Sequence, residues 1–133
     1  MDAQTAMEKR VAGLWARARL MWPDKLVHTP PPIRLNNRLK TTAGMAYSDV
    51  NDPKYGICIA TKLMQAYGFG GFHFEIIPHE VAHIVADQAL GSKGHDMPWR
   101  AVMNYYNLPH AWRCWNVGRM IEWENKFKNA FIR

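Results

Sequence analysis

The sequence predicts an α+β domain in which helices pack on one small, mainly antiparallel sheet. Three observations carry that expectation. Apolar residues recur at helical spacing near the start, short strand-like runs separated by turn residues occupy 33–61, and helical spacing returns from about residue 75 onward. At 133 residues the chain is expected to be one domain, 1–133, because two separate cores would each be too small. Its 48% hydrophobic content, with six Trp, five Tyr and five Phe, supplies a compact core and excludes a disordered chain.

Residues 3–22 are expected to form an amphipathic helix. Met7, Val11, Leu14, Trp15, Ala18, Met21 and Trp22 recur at three and four, while Lys9, Arg10 and Arg17 lie elsewhere on its surface. Pro23 ends it, and Thr29 to Pro32 is a stiff connector that cannot be helical. Strand-like pieces follow at 33–39, 42–50 and 56–61, with turn chemistry at Asn51, Asp52 and Pro53. Residues 62–67 supply one or two helical turns before Gly68, Gly70 and Gly71 interrupt the chain. A helix from about Glu75 to Leu90 stops at Gly91. Further helices are expected over 97–106 and within 111–131.

The formal charge is +6, but it is unevenly placed. Residues 1–40 hold eight Lys and Arg against three acids and 100–133 hold six against two, whereas 41–99 hold three against six. Basic ends around a more acidic centre suit a polyanionic partner such as nucleic acid, although solubility alone also explains them. Two cysteines, Cys58 and Cys114, cannot build a disulfide framework, so a reducing, cytoplasmic setting is expected. No stretch approaches the ~20 apolar residues that span a bilayer.

IIPHEVAH, residues 76–83, places His79 and His83 four apart with Glu80 between them. On a helix that spacing puts both imidazoles on one face, about 6 Å apart along the axis, where they can share a tetrahedral Zn²⁺. Glu80 then projects beside the metal, in the place of a general base: zinc lowers the pKa of a bound water toward ~7 and the carboxylate takes its proton. The competing account is a solvent-facing polar stripe, because Glu75, His79, His83 and Asp87 fall at successive i+4 steps. Against it, Ile76, Ile77, Val81, Ala82, Ile84 and Val85 bury most of this helix.

A catalytic zinc needs a third protein ligand and an open fourth position. A histidine six residues after His83 is excluded, since position 89 is Ala. Two candidates remain: His95, brought back by a turn after Gly91, and Glu124, which interrupts the apolar stripe of the last helix. Glu124 also has a plainer account as an i,i+4 partner of Lys128.

With GHDMPW at 94–99 following HEVAH, the chain resembles the SprT-like zinc metallopeptidase domain of the Spartan/SprT family. NNRLKTTAGMAY at 36–47 is similar to the family's strand segment, and the likeness covers about residues 5–115. The resemblance implies a zincin-like fold, Zn²⁺ on His79, His83 and His95, Glu80 as the base, and peptide substrates on proteins held or trapped on DNA. It removes the claim of Glu124. Asp96 stands where Gly is common, and Pro78 directly precedes the first histidine, so the helix must start near it or kink. The cysteine-rich zinc ribbon that many members carry is absent from these 133 residues.

Asp87 is a candidate to orient a ligand imidazole, and Tyr105 and Arg113 are candidate donors to an oxyanion. Trp99 either walls the cleft or fills the core, the latter being the commoner role. Arg10, Arg17, Arg113, Arg119, Lys126 and Lys128 are candidate nucleic-acid contacts, the last four interleaved with aromatics in a way that suits single-stranded DNA and that equally describes an amphipathic helix with a basic outer face. The sequence thus points to a zinc-dependent metalloendopeptidase with protein substrates and DNA as a partner. The alternative is a non-catalytic, zinc-stabilised DNA- or protein-binding module.

Overall fold

Asp2 accepts a hydrogen bond from the Thr5 backbone N–H at 2.7 Å and so caps the first helix, α1, Ala3–Met21. The structure is a computed structural model that describes residues 2–108 together with 121, 122, 124–126 and 128. The apolar stripe of α1 is buried through Met7, Val11, Leu14, Trp15 and Ala18, while Met21 is exposed. The Trp15 indole N–H donates to the Val27 carbonyl at 3.0 Å, which folds the segment after Pro23 back along the helix.

Three strands follow: β1, Ile33–Asn36; β2, Gly44–Tyr47; and β3, Gly56–Ala60. Their spatial order is β1-β3-β2, so β3 is central and is buried at every position. The sheet is mixed rather than mainly antiparallel. Residues 48–55 turn the chain back, making β2 and β3 antiparallel, but β3 then inserts between its two predecessors and lies parallel to β1. Strand patterning reports which face is buried and carries no information on direction, which explains the difference.

After α2, Thr61–Tyr67, the chain is helical again from Gly70 to Leu90 in two registers. A π-helical turn covers Phe72–Ile76, and α3 covers Ile77–Leu90. Pro78 accounts for the change: its ring removes a donor and crowds the carbonyl four residues back, and the wider π turn absorbs both. Gly91, at φ 70° in the left-handed region, ends α3 as expected, its N–H reaching the carbonyls of Ala86 and Asp87. The last complete element is α4, Met97–Tyr105.

Helix α3 packs against α1, α4, β2 and β3, and its Ile77, Val81, Ala82, Ile84, Val85 and Ala86 are fully buried. That placement puts the polar positions of an apolar helix next to β2 and α4. Residues 121, 122, 124–126 and 128 are helical, while the remainder of the expected 111–131 helix lies outside the described residues. Among the described residues no helix is long and apolar enough to cross a membrane.

Candidate metal centre

His79 and His83 face the same way from α3 because they are four residues apart on it. His95 comes from the short connection between α3 and α4. That connection is pinned by Ser92, which is buried and hydrogen-bonds Asp96 through its hydroxyl. Asp96 therefore has a job of its own at the position where Gly was expected. The three Nε2 atoms converge: His79 to His83 is 3.2 Å, His83 to His95 is 3.1 Å, and His79 to His95 is 3.2 Å.

Zn–N bonds of about 2.0–2.1 Å at tetrahedral angles separate two ligand nitrogens by about 3.3 Å. The triangle observed matches that figure closely, so the residues fit a single ion. Their electrostatics fit too. Burial, followed by the neighbouring imidazoles His83 and His95, lowers the pKa of His79 to about 3. Burial and then His95 lower that of His83 to about 4, and burial lowers that of His95. All three rings are therefore neutral near pH 7, as metal ligands must be.

Glu80 lies beside this triangle, 6% exposed, with Oε1 3.9 Å from His79 Nε2 and Oε2 without a hydrogen-bond partner. Burial raises its pKa to about 8. A cleft of about 470 Å³ opens on the site, lined by Glu80, His83 and His95 from one side and by Met45, Ala46 and Tyr47 of β2 from the other. Strand β2 is a sheet edge, so a stretch of its backbone borders the cleft.

A model of the SprT-like family matches residues 25–114, well over half of the chain. The chain belongs to the SprT-like family. No curated protein and no solved structure matches it significantly, so the assignment rests on the family model and on the site just described. The SprT-like family is associated with metallopeptidase function, and in this member His79, His83 and His95 can hold a metal ion.

The other residues singled out from the sequence are placed as follows. The Asp87 carboxylate is met by Ser48 Oγ and by Lys93 Nζ, the latter at 2.8 Å. Burial alone would raise its pKa, but the hydrogen bonds from Lys93 and Ser48 hold it below the usual value. Asp87 thereby ties the end of β2 to the connection that carries His95. Tyr105 is turned to α1, its hydroxyl donating to the Arg17 carbonyl at 2.5 Å. Arg17 lies against its ring, and Tyr105 is not among the residues that line the cleft. Arg10 is half-buried and donates to the His73 carbonyl at 2.8 Å, whereas Arg17, Lys126 and Lys128 are exposed. Arg113 and Arg119 lie outside the described residues.

Glu124 is not spent on Lys128. Its Oε2 accepts the Gly70 N–H at 2.6 Å, at the start of the helix that continues into α3. Two further residues belong to the site that spacing did not single out. Gly44 sits against Glu80, and Trp99 touches all three histidines. The sequence offered the Ala-Gly step of TTAGMAY as a signal for Gly44 without a role, and for Trp99 a place in the cleft wall or the core without a contact to the histidines.

Proposed function

We propose that this chain is a zinc-dependent metalloendopeptidase that hydrolyses peptide bonds in proteins associated with DNA. The observation that carries the proposal is the convergence of His79, His83 and His95 within 3.2 Å with a buried carboxylate alongside and a cleft in front. When bound there, zinc would supply Lewis acidity toward the scissile carbonyl and toward the attacking water.

Glu80 acts as the proton carrier. Its free Oε2 accepts the proton of the attacking water and returns it to the departing amine, so that cleavage consumes one water and leaves one carboxylate and one amine. Its burial keeps the carboxyl from being solvated and lets one proton reside on it between the two transfers. Among the described residues no further strand pairs with β2, and its edge beside the cleft suits an extended peptide, bound by strand addition. The exposed cations Arg17, Lys126 and Lys128 and the excess of basic residues at both ends support DNA as the surface that presents the substrate.

The deciding experiment is cleavage of a DNA-binding protein by the zinc-loaded wild type and by Glu80→Gln, with and without single-stranded DNA. We expect wild-type cleavage that DNA increases, and a loss of about 10²- to 10⁴-fold in Glu80→Gln with zinc still bound. A Glu80→Gln protein that cleaves like the wild type would sink the mechanism. A zinc-loaded, folded wild type that cleaves nothing would favour a binding module in its place.

A further inference from the structure

Trp99, the third residue of α4, is fully buried, and by burial alone it is a core residue. Its surroundings are unusual for one. The indole lies against all three imidazoles, with ring centroids 4.9 Å from His79, 5.4 Å from His83 and 4.7 Å from His95. It is stacked on His83, at an interplanar angle of 22°, and meets the other two rings edge-on or nearly so, at 66° and 86°. Its N–H is buried without a hydrogen-bond partner, a penalty that Phe or Leu in the same place would avoid.

The histidines need such a support. In the tautomer that binds metal, each Nε2 carries a lone pair, and three lone pairs 3.1–3.2 Å apart repel one another. His83 and His95 are only half-buried, and His95 stands on a connection between helices rather than on a helix. Left alone, these rings gain both energy and freedom by rotating apart. A rigid indole packed on all three removes that freedom before the ion arrives, which is the general route by which preorganisation raises affinity.

We propose that Trp99 is a positioning residue for the metal: its ring holds the imidazoles of His79, His83 and His95 converged, and metal affinity depends on it. This rests on the assignment of the three histidines as ligands under the proposed function. The ligand class is a single divalent transition ion that favours imidazole nitrogen, such as Zn²⁺ or Co²⁺.

The test is metal binding in the absence of any substrate. Zn²⁺ affinity is measured by competition with a chromophoric chelator for the full chain, Trp99→Phe, Trp99→Leu and Trp15→Phe. Trp15 is the control because it is an equally buried indole on α1, where it bonds the Val27 carbonyl. We expect affinity to fall about 10-fold in Trp99→Phe and up to about 100-fold in Trp99→Leu, the range typical of residues that support metal ligands. Trp15→Phe should lose thermal stability without losing affinity. If Trp99→Leu does not fold, Trp99→Phe decides the matter.

Wild-type affinity in the folded Trp99 variants overturns the proposal, and so does an equal loss in Trp15→Phe, which would mean that any loosening of the core weakens the site. Co²⁺ should also quench part of the tryptophan emission, and Trp99→Phe should remove that quenched part; quenching that persists unchanged counts against the contact. A wild type that binds no metal overturns this proposal and the proposed function together, whereas a wild type that binds metal with unaltered Trp99 variants overturns this one alone.

Discussion

Gly44 shows how one missing side chain can serve a neighbour. A Cβ at this position would stand 3.2 Å from Glu80 Cγ and 3.3 Å from both the Cys58 carbonyl oxygen and Ile76 Cγ2. The Cys58 carbonyl belongs to the central strand and Ile76 is buried, so neither can retreat easily. The carboxylate side chain is the part that gives. Gly44→Ala is therefore expected to displace Glu80 and to lower kcat by about 10- to 100-fold, since misplacing a catalytic group by an ångström has effects of that order. Metal affinity should stay at the wild-type value, because no histidine is touched. Chelator competition and peptide cleavage on the same preparation separate the two, and an unchanged kcat would show that Glu80 tolerates the methyl.

At the scale of elements, the helix that carries the histidines is held at both ends by residues distant in sequence. Its start at Gly70 receives the Glu124 carboxylate, which satisfies an N–H that would otherwise have no partner and places negative charge at the positive end of the helix. Gly68, at φ 89°, makes room for that carboxylate, since a Cβ there would overlap it. Removing the cap in Glu124→Ala should cost about 1 kcal/mol, read from the denaturant midpoint with the slope unchanged. Near its end, Asp87 holds Ser48 and Lys93, and the Gln88 side chain reaches the Ser48 carbonyl and the Tyr55 hydroxyl, both at 3.3 Å. Truncating the buried middle is the harsher change: Ile84→Ala should cost about 2–5 kcal/mol.

For the whole molecule, buried histidines and Glu80 make metal-free stability depend on pH in both directions. The folded pKa values of His73, His79 and His83, about 4, 3 and 4, lie below the unfolded value near 6.5, with burial the leading cause for each. Below pH 6.5 the unfolded chain therefore binds more protons than the folded one, and stability falls as pH drops toward 4. Glu80 works the other way. Raised by burial to about 8, it is protonated in the folded state while the unfolded chain has already lost that proton, so stability falls as pH rises toward 8. Three histidines outweigh one carboxyl on the acid side, and the metal-free protein should be most stable near pH 6 to 7. Thermal melts across pH 4–9, with and without Zn²⁺, check this. The metal should raise the midpoint most where the free protein is weakest on the alkaline side, because a nearby dication favours the ionised form of Glu80.

Much of this was legible in the sequence, because local rules govern the parts concerned. Helix α1 follows from its spacing, the stop at Gly91 from the need for a left-handed residue, and the facing of His79 and His83 from 3.6 residues per turn. The turn after Gly91 made His95 one of two candidates for the third ligand, and the resemblance chose it over Glu124. Tertiary structure decided what depends on distant segments meeting. β3 inserted between β1 and β2, which made the sheet mixed and left β2 as the edge along the cleft. Asp87 meets Ser48 and Lys93, Tyr105 meets α1, and Glu124 meets Gly70, contacts between segments that no periodicity along one element specifies. Trp99 and Gly44 acquired their places at the site for the same reason: a contact between elements is fixed by how they pack, and periodicity along one element says only which face is turned inward.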